Sequence, residues 1–416
     1  MKIKKSISRL SAGIIAMLTT ITVANSATVT EAQNTGYLTV IMDFNRLRAA
    51  KESIKKGDQE LIPAMTALRK EADVWLAQGP FTVMNKTLTP PSGDKHDYMS
   101  FGPYWWPNPG KKNGLPYIRR DGDVNPQSMG PGSDRVALEN MASGTETLAL
   151  AWYFTGERKY ADRAALFIST WFLDQATCMH PHLKYGQGIP GNCEGRGIGI
   201  IETRRFSQVI NSVSLLEGSE TLTGQQQQAL QEWFRTYLKW ICDSDNGKTE
   251  SREINNHGTW YDVQVAHFAL YTGQLELAKK TVTAARKNRL AAQVSADGSQ
   301  KHELARTRSF TYSLINLSGL LALAELGRQA GVDYWDFPSA QKSLLKAAVD
   351  FMAVYADPKK TWTHQQVTDL NRIDLYPFLQ QAELFTGDRL YRELSAKLPE
   401  DEAKTQRANL LWPCQK

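Results

Sequence analysis

At 416 residues the chain can bury a large core, as one large domain or as two or three of average size. Its formal net charge of +6 belongs mostly to the first 27 residues, where Lys2, Lys4, Lys5 and Arg9 stand without an acidic residue, so removing them leaves +2. No dense Lys/Arg block remains, which argues against a nucleic-acid partner.

The N-terminus reads as an export signal. The four basic residues precede an apolar run from Leu10 to Val23, and small residues at Ala24, Ser26 and Ala27 offer a cleavage point somewhere within 24–33. The run is too short and too mixed to span a bilayer. The expected mature protein is therefore exported, periplasmic or secreted, and free of the membrane, with a single domain from residue 34 to 416. There are four cysteines. Cys178 and Cys193 lie in a Gly- and Pro-rich stretch of an exported chain, which allows a disulfide between them; Cys242 and Cys414 can pair or stay buried. Neither CxxC nor HExxH occurs, so no dedicated transition-metal site is indicated.

From about residue 40 to Gln78 the spacing of Leu47, Ile54, Leu61, Met65 and Leu68 predicts helix, with Pro63 opening a second one. Residues 79–133 form a loop-rich segment carrying much of the proline and a dense aromatic cluster; such length points to function, and the aromatic content argues against disorder. Helical patterning then continues to the end. Gly156, Gly224, Gly273, Gly327 and Gly387 each follow an apolar helical run as a left-handed stop. They are 68, 49, 54 and 60 residues apart, roughly one helical hairpin per step and too irregular for a tetratricopeptide array. The expected fold is all-α, an α/α toroid or incomplete barrel of six to seven hairpins, with residues 79–133 over its cleft. A solenoid of helix pairs is the alternative.

Four polar stretches interrupt this pattern. In Asn255-Asn256-His257-Gly258 two amides and an imidazole stand at the start of an apolar helix, where a cap alone would explain one of them. In Glu303-Leu304-Ala305-Arg306-Thr307-Arg308-Ser309-Phe310-Thr311-Tyr312, Glu303 and Arg306 are spaced to pair, and Arg308 and Tyr312 share a helical face. In Tyr98-Met99-Ser100-Phe101-Gly102-Pro103-Tyr104-Trp105-Trp106-Pro107-Asn108-Pro109, proline-flanked tryptophans make rigid flat surfaces suited to sugar rings. The fourth, His180-Pro181-His182 through Gly191, then Gly195-Arg196-Gly197 and Glu202-Thr203-Arg204-Arg205, points weakly at best to a metal and better to a special loop presenting Tyr185, Gln187 and Arg204.

Together the first three stretches resemble the alginate lyase superfamily of polysaccharide lyases, over about residues 90–390. The resemblance implies an α/α toroid and β-elimination on a 1,4-linked polyuronate, alginate first and glucuronan second. It implies Asn256, His257 and Tyr312 as catalytic residues, with Arg306, or else Arg308, as the arginine. In that family a tyrosine is the acid, and also the base when proton and leaving group share a face; a histidine is the base when they do not. Trp105, Trp106, Tyr104, His96, Gln187, Arg204, Tyr261, Arg308 and His364 are candidate substrate contacts; Tyr261, four after His257, is also an alternative acid, and reads more readily as a core aromatic.

The chemistry accounts for these residue types. The C5 proton is poorly acidic until the neighbouring carboxylate is neutralised, which an amide and a guanidinium can do. A base then takes the proton and an acid protonates O4. No metal or organic cofactor is required, although a bound divalent ion stays open. The rivals are a toroid glycoside hydrolase, which needs a carboxylate pair across the cleft, with Asp262, Glu202 and Glu303 available, and a non-catalytic carbohydrate-binding protein. Oligomeric state is open.

Overall fold

The computed structural model describes residues 41–339 and 342–413. The export signal and Cys414 lie outside them. The first hairpin is α1 (Phe44–Lys55), capped by Asp43, and α2 (Ile62–Leu76), with Pro63 in its first turn where a missing N–H costs nothing. The long loop segment holds three short strands, β1 (Met99–Phe101), β2 (Trp105–Trp106) and β3 (Ile118–Arg119). It leads into α3 (Arg135–Thr155) and α4 (Arg158–Ile168), and a second loop carries β4 (Tyr185–Gly188). A 3-10 stretch, Gly197–Arg205, precedes α5 (Phe206–Leu215) and α6 (Gly224–Asp243). Then come α7 (Asp245–Glu250), α8 (Asn256–Tyr271), α9 (Leu275–Ala285), α10 (Lys301–Leu304) and α11 (Ser309–Ala330). The chain ends through α12 (Leu344–Ala353), α13 (Tyr376–Thr386), α14 (Leu390–Ser395), α15 (Glu400–Ala403) and α16 (Ala408–Leu411).

The helices run round a circuit. α3 packs on α5, α8 on α9 and α11, α11 on α12, and α12 on α13, while α16 returns to α1 and α2. Arg407 fastens that closure, with Nη2 at 2.9 Å from Glu71 and Nη1 at 3.5 Å from Glu146. This is the expected α/α toroid. α8 and α11 are buried nearly all round, as walls of a ring covered on both sides must be. Phe172, Phe206, Trp233, Phe234 and Tyr237 form a largely edge-to-face core, each pair adding about 0.5–1.5 kcal/mol beyond area burial.

Two of the expected helix stops are misplaced. Gly156 and Gly387 are left-handed caps at φ 71° and 70°, as expected. Gly224 instead opens α6, because Thr223 and Gln226 form a reciprocal capping box there. Gly327 lies inside α11, and the stop is Gly331 at φ 72°. Cys178 and Cys193 are free thiols, not a disulfide: the extended strand β4 lies between them, and Cys193 turns back onto Ile189.

The strands fix the aromatic loop to the ring. β1 pairs in parallel with β4, and β2 with β3 in antiparallel register, Trp105 opposite Arg119 and Trp106 opposite Ile118. Beneath them Lys86 is fully buried, its ammonium 3.0 Å from Asp134 and donating to the Val83 and Lys95 carbonyls. A buried charge with all three donors used holds a long loop in one conformation.

Candidate active site

The four residues at the start of α8 each have a separate task. Asn255 is the cap, its side chain accepting from the His257 N–H at 3.0 Å. Asn256, 1% exposed, binds Glu303 twice: its backbone N–H donates to Oε1 at 2.6 Å and its Nδ2 to Oε2 at 2.9 Å. That leaves a second amide proton on Nδ2. His257 Nδ1 lies 2.8 Å from Oε1 of the wholly buried Glu250. With Glu250 ionised, Nδ1 is the donor and Nε2 is the basic nitrogen, which has no hydrogen-bond partner among the described residues. Gly258 has no room for a Cβ, which would strike the Glu253 carbonyl and the Arg289 guanidinium. Arg289 needs that space because it grips Asp262, Glu253 O and Ser251 O, clamping the entry to the helix.

Glu303 joins this group to the second. Burial pushes its carboxyl pKa up, against the Asn256 hydrogen bonds and the nearby charges of Arg306 and His257. Arg306 does not pair with Glu303. Its guanidinium lies over the Tyr312 ring, 3.9 Å from the centroid, and 3.1 Å from Asp121. Thr307 Oγ1 donates to the same carboxylate at 3.1 Å. The Tyr312 hydroxyl is 2.5 Å from that of Tyr104. Burial, then the neighbouring Tyr104, push the Tyr312 pKa above the ordinary phenol range, with Arg306 opposing. Tyr104 precedes β2 and Asp121 follows β3, so one short ribbon of the aromatic loop delivers both partners.

Arg308 stands at the cap of α11 rather than on the face of Tyr312, because helical geometry begins only at Ser309. It makes no ion pair among the described residues, and its Nε is buried without a partner. Trp105 and Trp106 are half-exposed, Trp105 beneath Arg196 at 5.8 Å and Trp106 beneath Arg120 at 5.1 Å. Arg196 is the residue that sequence reasoning passed over, although its Gly-Arg-Gly setting stands out. It is held by Gln187, whose backbone and side-chain oxygens accept from Nε and Nη2 at 3.0 Å each, and its charge reaches Glu250. Gln187 is thus a support and not an exposed contact: it is 5% exposed, at φ 48°.

The other candidates lie elsewhere. Tyr261 is a core residue, its hydroxyl donating to Ile241 O at 3.1 Å. Arg204 donates to Ile201 O, among the charges of Arg205, Glu139, Arg135 and Glu202. His364 is exposed beside Trp362, with ring centroids 5.1 Å apart. His96 Nδ1 lies 2.6 Å from Cys178 O, in a histidine group of its own. Two surface depressions, one around Lys279 and Phe337 and one around Met99 and Gly188, include no residue of the tyrosine–arginine cluster.

Comparison with known proteins bears on this geometry. No curated protein sequence matches the chain. Among solved structures, an alginate lyase from Bacteroides ovatus is 38% identical, covers 90% of this chain and 99% of its own, and superposes with a TM-score of 0.85. Alginate lyase A1-III from Sphingomonas species A1, at 15% identity, 91% and 96% coverage and a TM-score of 0.56, shares the fold. So does its histidine-to-alanine variant complexed with a tetrasaccharide, at 14% identity and a TM-score of 0.57. The Alginate lyase family matches residues 82–362, two-thirds of the chain, and this protein belongs to it.

Proposed function

We propose that this polysaccharide lyase cleaves alginate or a closely related 1,4-linked polyuronate, with Asn256 and Arg306 neutralising the uronate carboxylate. Glu303 holds the Asn256 amide in place, and the second Nδ2 proton is the one the amide would offer to that group. His257 Nε2 takes the C5 proton when proton and leaving group lie on opposite faces. The C5–H electrons form the C4–C5 double bond, the C4–O4 bond breaks, and Tyr312 gives its proton to O4. Where both lie on one face, Tyr312 acts from its phenolate form, takes the C5 proton and passes that same proton to O4 as the C4–O4 bond breaks. Trp105 and Trp106 supply flat surfaces along the cleft. The elimination needs no metal, since protein donors do the neutralising.

One observation carries this reading: a tyrosine kept protonated by burial, roofed by an arginine, on a helix adjacent to a histidine anchored on a buried carboxylate. The hydrolase reading loses its acids. Glu202 accepts from Tyr98 and Ser100, Asp262 is gripped by Arg289, and Glu303 is bound by Asn256. The N-terminal pattern supports export to the periplasm or beyond, with an acidic polysaccharide as partner and neither nucleic acid nor membrane.

Purified protein offered polymannuronate, polyguluronate and glucuronan separately is expected to raise the ultraviolet absorbance of an unsaturated uronate on at least one, alginate blocks foremost. New reducing ends without that absorbance would mean hydrolysis and overturn the assignment. A signal on glucuronan alone would overturn alginate as substrate.

A further inference from the structure

Ahead of the paired strands β1 and β4, a second group of side chains converges without a part in the elimination. Asp97 stands two residues before β1, and His180 and His182 precede β4. Asp97 Oδ1 lies 2.7 Å from His180 Nδ1 and 3.0 Å from His182 Nε2, so one carboxylate oxygen serves two imidazoles. The three potential ligand atoms all lie within 4.8 Å of one another. Asp94 adds a second carboxylate at the rim, 4.0 Å from His180 Nδ1.

The group is built, and it has one open side. The Asp97 side chain is 8% exposed, His182 26% and His180 44%, so the carboxylate is the floor and His180 the entrance. The His96 ring lies against His180, with centroids 5.3 Å apart, and its backbone N–H donates to Asp94 at 2.8 Å. His182 rests near Trp240, and the His180 N–H donates to His96 O at 3.0 Å. Pro181 restricts the backbone between the two histidines. Two imidazole nitrogens and one carboxylate oxygen are a common donor set for zinc, which binds them at about 2.0–2.2 Å and in tetrahedral arrangement holds ligand atoms roughly 3.4 Å apart. Opening the two contacts by less than about 1 Å would admit such an ion.

We propose that Asp97, His180 and His182 form a zinc-class transition-metal site, with water completing the coordination, that clips the aromatic loop to the β4 segment. Sequence motifs do not announce it, because the carboxylate comes from a stretch 83 residues before His180. The ion would act at a distance from the chemistry: β1 leads through Gly102 into Tyr104 and the tryptophan ribbon, so fixing the base of that loop orders what lies beyond it. The proposal does not depend on which polyuronate is cleaved.

The test uses the whole protein, stripped with chelator and then titrated with Zn²⁺ by calorimetry and with Co²⁺ by visible absorption. The expected result is one ion per chain, intense four-coordinate Co²⁺ bands, and a higher melting temperature with Zn²⁺. His180→Ala and His182→Ala should each weaken Zn²⁺ binding by roughly 100-fold, while His302→Ala, outside the group, binds as the parent does. Absence of saturable binding to the parent protein would overturn the site, as would binding as tight as the parent's by both histidine variants. Should the variants fail to fold, the parent's Co²⁺ spectrum decides: bands of a six-coordinate, weakly absorbing ion would also overturn it.

Discussion

The start of α8 and the tryptophan ribbon are the two conspicuous motifs of this chain, and they work differently. At α8 every conspicuous residue is itself employed: Asn255 caps, Asn256 meets Glu303, His257 meets Glu250, and Gly258 admits Arg289. In the ribbon the conspicuous residues are the tryptophans, yet the contacts with the cluster come from their neighbours, Tyr104 and Asp121. A helix start can employ consecutive residues, because its first N–H groups have no partner within the helix and draw side chains to them, as Asn255 and Glu303 show here. A two-stranded ribbon alternates its faces, so what reaches the cluster comes from its ends.

Four substitutions would break or sharpen that contrast. The largest effect is expected from Tyr312→Phe, which removes the proposed proton donor: turnover should fall by about 10²–10⁴-fold with little change in KM. Because burial raises the Tyr312 pKa, the phenol stays protonated as pH rises, and the alkaline limb of the parent's rate profile should lie above pH ~10, the ordinary phenol value. A fully active Tyr312→Phe protein would remove Tyr312 from the mechanism.

Next comes Glu250→Gln, which keeps the shape of the support but takes away its charge. Loss of the oriented tautomer of His257 should lower kcat by about 10–100-fold, measured on a substrate whose proton and leaving group lie on opposite faces. A matching loss on a same-face substrate would mean that Glu250 acts on the fold and not through His257.

The smallest effects separate the ends of the ribbon from its middle. Asp121→Ala frees Arg306 from a charge-assisted hydrogen bond worth about 1.5–3 kcal/mol, and kcat/KM should drop by roughly tenfold or more. Trp106→Ala removes a half-exposed surface and should raise KM only a few-fold, about 1 kcal/mol or less. If Trp106→Ala proved the more damaging, the ribbon would serve chiefly as a sugar platform, and the contrast drawn above would reverse.

The residues of the proposed site drew notice before any fold was known, and the misplaced contacts have a common cause. Asn256, His257, Arg306 and Tyr312 stand in two short stretches whose polar residues conflict with the apolar helices they open. Arg308 looked better placed than Arg306 only on the assumption of a helix reaching back to it; α11 begins one residue later, and Arg306 folds back over the ring. The expected Glu303–Arg306 pair obeyed helical spacing, but the turn between α10 and α11 sends the two side chains to different partners. Tyr261, one helical turn after His257, is the core aromatic that its apolar surroundings suggested.

What the sequence determined by itself is local: the cap at Asn255, the first turn at Pro63, the left-handed stops at Gly156 and Gly387, and the alternation of helical hairpins that makes a toroid. Each depends on forces acting within about one helical turn. The tertiary structure alone decided that Glu250 supports His257, that Asp121 and Tyr104 close on Arg306 and Tyr312, that Arg196 covers Trp105, and that Asp97 meets His180 and His182. Those contacts join segments up to 208 residues apart, and burial and charge compensation, which no spacing encodes, select among the partners that the closed ring brings together.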